Sequence, residues 1–130
     1  MPRPKAPIGI GVDAVTISEV GHLDRKASAF TQSTFTEREI AEAATRGKDR
    51  ASYLAGRFAA KEAVFKAIAH LTPEKTFDMR VIETLAAPDG SPQVNMTPAF
   101  TQICEKAGVE NVLISISNEG DMAIAFAMAV

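Results

Sequence analysis

The segment Arg57-Phe58-Ala59-Ala60-Lys61-Glu62-Ala63-Val64-Phe65-Lys66-Ala67-Ile68 decides the fold. It sits in a Pro-free stretch from Ser52 to His70 made mostly of good helix formers. Phe58, Phe65 and Ile68 recur at helical spacing, which predicts a long helix with a buried stripe. Glu62 and Lys66 are four residues apart and share one helical face. Alone, that pair reads as an ordinary salt bridge in the favourable Glu-before-Lys order, worth about a few tenths of a kcal/mol.

Working outward, Ile8-Gly9-Ile10-Gly11-Val12-Asp13 alternates apolar residues with glycines and a terminal carboxylate, the pattern of a strand with one apolar face. Glycine at alternate positions of a strand signals the close approach of another group. Gly9-x-Gly11-x-x-Ala14 formally fits a relaxed dinucleotide fingerprint. Its glycines lie within the strand, however, and no apolar strand precedes them. An Asp at the end of such a strand is better placed to hold a metal or cap a helix.

Thr16-x-x-Glu19 and Thr36-x-x-Glu39 both carry the capping-box pattern and open helices to about Lys26 and Thr45. Phe30 and Phe35 between them read as core anchors, and Arg46-Gly47-Lys48-Asp49-Arg50 as a basic loop before the long helix. A strand is expected from Phe77 to Leu85, then the turn cluster Pro88-Asp89-Gly90-Ser91-Pro92 and a short strand over Gln93–Met96. Thr97 caps a helix with Pro98 at its first position, ending at Gly108. Val112–Ser117 and Met122–Val130 form a final hairpin. In its second strand both faces are apolar, Ala123, Ala125, Ala127 and Ala129 against Met122, Ile124, Phe126, Met128 and Val130. A strand buried on two sides in so small a chain points to a covering layer from a second subunit.

At 130 residues, 46% hydrophobic and 23% charged, the chain reads as one globular domain over residues 8–130, after a flexible leader over residues 1–7. A net charge of −2 with no Trp and one Tyr argues against nucleic-acid binding. The lone Cys104 excludes an internal disulfide and fits a reducing cytoplasm. No apolar run reaches the roughly 18 residues that a membrane span needs.

Three stretches taken together, Gly9–Asp13, Leu54–Ala67 and Ser115-Ile116-Ser117-Asn118, closely resemble the holo-(acyl carrier protein) synthases, the small class of 4′-phosphopantetheinyl transferases. The resemblance extends to Phe35-Thr36-Glu37-Arg38-Glu39 and Gly90-Ser91-Pro92. It implies an α+β fold, an antiparallel sheet with a long central helix, equivalent to one half of the two-lobed transferases. It further implies a homotrimer with sites between subunits. The implied reaction moves the phosphopantetheine arm of coenzyme A to a serine of an apo acyl carrier protein, or of a carrier domain of a fatty acid or polyketide synthase. Adenosine 3′,5′-bisphosphate is released.

By motif, Asp13 and Glu62 would hold Mg²⁺, an ion suited to hard oxygen ligands. Lys66 would lie beside the same phosphates, and Glu62, directly or through a water, would be the base for the serine. Arg57 and Lys61, with Arg46, Lys48 or Arg50, are candidates for the 3′-phosphate and adenylate end, although Lys61 could equally be solvated. Gly90 and Pro92 resemble the nucleotide-side turn, and Ser117 and Asn118 complete the set. Two departures stand out. Asn118 occupies the place where the family commonly has His, and an Asn can donate a hydrogen bond but cannot titrate. Ser18-Glu19 lies where a basic residue is common, leaving Arg25 and Lys26 to meet an acidic carrier. A non-catalytic trimeric binder of coenzyme A or carrier, and a metal-dependent hydrolase of nucleotide pyrophosphates, are the competing readings.

Overall fold

Strand β1, Gly9–Thr16, pairs antiparallel with β5, Met122–Ala129, which pairs antiparallel with β4, Val112–Glu119, so the strand latest in sequence lies at the centre of the sheet. The computed structural model describes residues 6–76 and 78–130; residues 1–5 of the expected leader, and Phe77, lie outside the described residues. Between β1 and β4 come helices α1 (Ile17–Lys26), α2 (Ser28–Thr34), α3 (Glu37–Ala44) and α4 (Arg50–Ile68), the ribbon of β2 (Glu83–Ala86) with β3 (Pro92–Asn95), and α5 (Pro98–Ala107). This is the α+β arrangement expected, with the 19-residue α4 across one face of the sheet.

The alternating glycines explain how strand and helix meet. Gly9 and Gly11 face α4, and a Cβ on either would collide with the carbonyl oxygen of Ala67 or Ala63 respectively. Two strand residues span about 6.7 Å and four helical residues about 6 Å, so the two bare positions match the two alanines one helical turn apart. Ala123, Ala125, Ala127 and Ala129 of β5 extend this small-residue surface and are fully buried. The opposite face is the apolar one, and it is open: Ile10 is 63% exposed, Val12 56% and Phe126 40%.

Several local expectations need correction. Thr16 occupies the N-cap of α1 but makes no side-chain cap. Asp121, in the β4–β5 turn, does so instead, accepting from the Ser18 N–H at 3.0 Å and from the Ser18 hydroxyl. The Thr36–Glu39 capping box is formed as read. Helix α2 carries no apolar period that would mark it in the sequence. The strand expected over Phe77–Leu85 is a 3₁₀ turn at Met79–Val81 followed by β2. Asp78 accepts the Arg80 N–H at 2.8 Å and caps that turn, while the carbonyls of Met79 and Ile82 are taken by Lys61. The last hairpin is tighter than expected, with β4 continuing through Asn118 to Glu119. Thr97, Pro98 and left-handed Gly108 bound α5 as read. Cys104 is core, and burial pushes its thiol up to about 11. No helix among the described residues is long and apolar enough to cross a membrane.

Candidate active site

Asp13 projects from the inner face of β1 toward α4, where Lys66 Nζ donates to its Oδ1 at 2.9 Å and to the Val12 carbonyl at 3.2 Å. Among the described residues, no ion pair joins Glu62 to Lys66: the lysine is drawn across to the strand. Glu62 is left half-buried beside Asp13. Burial, then the Asp13 charge, raises the pKa of Glu62 above the ordinary glutamate value, with Lys66 opposing. Lys66 is raised in turn, chiefly by its hydrogen bond to Asp13. Two crowded carboxylates beside one half-exposed ammonium form a place where a cation and a phosphate can sit together. The donor set fits Mg²⁺, since two hard oxygen ligands leave the remaining positions to substrate phosphate and water.

A second feature lies at the other edge of the sheet. A cleft of about 270 Å³ is lined by Arg46, Tyr53, Arg57, Gly90, Pro92 and Asn118, among others. Gly56 lets α4 approach β4 here, since a Cβ would press on the Ile116 side chain. Both the Arg46 and Arg57 guanidinium groups lie over the Tyr53 ring, at 4.9 and 4.7 Å from its centroid. Arg57 is buried, and its Nε is without a hydrogen-bond partner among the described residues. A compact, cationic, aromatic-floored cleft bordered by a glycine turn suits a phosphate on a nucleotide.

Within one chain the two features lie apart. Arg57 and Lys66 are nine residues apart, about half a turn around the helix from one another at 3.6 residues per turn. Asp13 belongs to one edge strand and Asn118 to the other.

A model of the 4′-phosphopantetheinyl transferase superfamily matches residues 9–127. The chain belongs to that superfamily. It is 38% identical over 128 residues to a holo-[acyl-carrier-protein] synthase of Desulforudis audaxviator, covering 95% of this chain and 92% of the relative. The crystal structure of the holo-[acyl-carrier-protein] synthase from Neisseria meningitidis superposes with a TM-score of 0.83 at 31% identity, covering 96% of this chain and 99% of that one. A Chronobacterium ammoniagenes synthase in complex with coenzyme A superposes at 0.77, with 26% identity over 94% of this chain and 96% of that one.

Within this phosphopantetheinyl transferase fold, three of the expected site residues stand apart from both features. Lys61 is fully buried, paired with Glu39 Oε1 at 2.7 Å and donating to the Met79 and Ile82 carbonyls at 3.0 and 2.7 Å. All three of its N–H donors are used, so it is neither a phosphate ligand nor solvated. Burial lowers its pKa, with Glu39 opposing. Arg50 is turned away from the cleft and held by both oxygens of Asp24, at 2.7 and 3.1 Å; Arg46 is the basic-loop residue that reaches it. Ser117 alternates with Asn118 along β4, so it shares the outer face with Ile124, its partner in β5. Tyr53 was missed, since a single Tyr in an apolar helix reads as core; its place four residues before Arg57 was the available signal.

Proposed function

We propose that this chain is a holo-(acyl carrier protein) synthase, transferring 4′-phosphopantetheine from coenzyme A to a serine of an apo carrier protein or carrier domain. The observation that carries the reading is the Asp13–Glu62–Lys66 group on a chain whose cationic cleft is set for the nucleotide end of the same substrate. The serine oxygen forms a bond to the phosphorus that bears the pantetheine arm. The bond from that phosphorus to the bridging oxygen breaks, and adenosine 3′,5′-bisphosphate leaves. Glu62, directly or through a water, takes the serine proton; its raised pKa brings it nearer the working range of a base. Lys66 stays charged and offsets negative charge on the phosphates. Magnesium, held by Asp13 and Glu62, would supply further neutralisation of the phosphoryl oxygens and leaving group.

The acceptor site is completed by a second copy of the chain. The open apolar face of the sheet, Ile10 and Val12 beside Phe126 and Ile124, is the surface such a copy covers. The assembly we propose is a homotrimer, a closed ring in which each interface brings one protomer's carboxylates toward its neighbour's cleft. A reducing cytoplasm suits its single, buried cysteine.

Intact-mass spectrometry of apo carrier proteins and carrier domains, incubated with the protein, coenzyme A and Mg²⁺, tests this reading. A phosphopantetheine mass gain on a carrier, lost in Asp13→Ala and Glu62→Gln, supports it. Release of 4′-phosphopantetheine without an acceptor would mark a hydrolase, and coenzyme A binding with no product a silent binder; either overturns it.

A further inference from the structure

Glu42, on α3, lies behind the cleft rather than in its lining, yet three parts of the cleft wall converge on its carboxylate. The Tyr53 hydroxyl donates to Oε1. Arg57 Nη2 stands 3.9 Å from the same oxygen. The Ala86 N–H donates to Oε2 at 3.1 Å. Ala86 ends β2 and leads directly into the turn that carries Gly90 and Pro92, closed by the Ala87–Ser91 and Gly90–Ala87 backbone bonds at 2.8 Å. The Tyr53 ring in turn carries the guanidinium groups of Arg46 and Arg57.

We propose that Glu42 is the positioning residue of this cleft, one carboxylate that holds the Tyr53 ring, the Arg57 guanidinium and the Gly90 turn at the spacing that receives the 3′-phosphate of coenzyme A. The inference rests on coenzyme A being the substrate. Arginine loses much side-chain freedom on binding an anion, and a ring beneath it with a carboxylate behind it removes that freedom in advance. The Arg57–Glu42 contact is loose enough to leave donors for a ligand. Burial raises the Tyr53 hydroxyl to about 12, so it remains a donor to Glu42 at any working pH. Glu42 also has a cost, because its negative charge repels the incoming phosphate. Geometry and charge thus make opposite predictions when it is replaced.

The test is calorimetric binding of adenosine 3′,5′-bisphosphate to the full assembly, with 5′-AMP as the reference lacking the 3′-phosphate. Glu42→Ala should weaken the bisphosphate about tenfold, the loss of one charge-assisted anchor, and leave 5′-AMP unchanged. Glu42→Gln, which keeps one acceptor oxygen for Tyr53 and Arg57 but turns an NH2 toward the Ala86 N–H, should fall between Glu42→Ala and the unaltered protein. In an Arg57→Ala background Glu42→Ala should add no further loss. In the carrier assay, KM for coenzyme A should rise with kcat unchanged. If Glu42→Ala yields little folded protein, Tyr53→Phe, which removes only the hydroxyl bond, should show the same preference in weaker form. Equal or tighter bisphosphate binding by Glu42→Ala, or no preference of the unaltered protein for bisphosphate over 5′-AMP, overturns the inference. The expected binding pattern without transfer to any carrier would overturn the transferase reading alone.

Discussion

Lys66 reaches from α4 to the Asp13 carboxylate of β1 at 2.9 Å, bypassing the Glu62 one turn behind it on its own helix. The strand therefore captures the cation that helical spacing would assign to Glu62, and the two carboxylates are left to face each other. The burial of Glu62, with the Asp13 charge second, is the source of the first prediction.

The folded chain keeps the Glu62 proton to higher pH than the unfolded chain does, because burial and Asp13 raise its pKa above 4.5. Between 4.5 and the raised value the native state binds more protons, so stability falls as pH rises through that window. Glu62→Gln removes this dependence. Its Tm should exceed that of the unaltered protein at pH 7 by on the order of a few degrees, and the difference should shrink toward pH 4. A lower Tm at neutral pH would show that the two carboxylates do not crowd.

Gly11→Ala should unfold the chain or cost about 3 kcal/mol or more, since the added methyl meets backbone of α4 and not a yielding side chain. Urea midpoints measure this. A loss below about 0.5 kcal/mol, within the range of ordinary surface changes, would mean that β1 does not lie on Ala63 as described.

Asp13→Ala and Arg57→Ala each disable one edge of the sheet. If the working site spans two protomers, each variant alone is inactive. After subunit exchange at equal ratio, about one interface in four pairs an intact Asp13 with an intact Arg57, and activity returns in that proportion. Mixtures as inactive as their components would place the whole site in one chain. Phe126→Asp, on the exposed face, should give a folded monomer by light scattering and circular dichroism, with transfer lost.

Lys61→Met should destabilise by about 3–5 kcal/mol, because Glu39 would be left charged and unpaired in the core. Under conditions where the variant is folded, its affinity for adenosine 3′,5′-bisphosphate should match that of the unaltered chain. A selective loss of bisphosphate binding would return Lys61 to the ligand set.

The elements that were legible in the sequence are those whose signals are local. The Thr36–Glu39 box, the Thr97–Pro98 start and Gly108 end of α5, and the two-faced β5 all follow from neighbours within a few residues. Asp13, Glu62 and Lys66 were recognisable by motif and do come together. What was not legible depends on distant partners. Lys61 sits beside Glu62 in sequence, and only the docking of α3 and the Met79 turn shows that it is buried. Arg50 is one of three basic residues in a short loop, and nothing local says that Asp24 claims it. The Phe77–Leu85 segment alternates like a strand, but Asp78 and Lys61 bend its first half into a turn. Helix α2 has no apolar period, so its existence depends on the packing of Phe30 against Phe35 and Phe58.

The placement of β5 also sets an order of events in folding. Among the described residues, neither β1 nor β4 pairs with anything in the sheet except β5, and the cap on α1 comes from Asp121, 103 residues beyond Ser18. Helix α4 and the β4–β5 hairpin can nucleate locally, whereas β1 has no ladder to join until that hairpin exists. A chain closed by pairings this distant in sequence should fold slowly, in one late closure. Until then its glycine strand and its apolar edge remain exposed together, and this is the interval in which chaperones would have most to do.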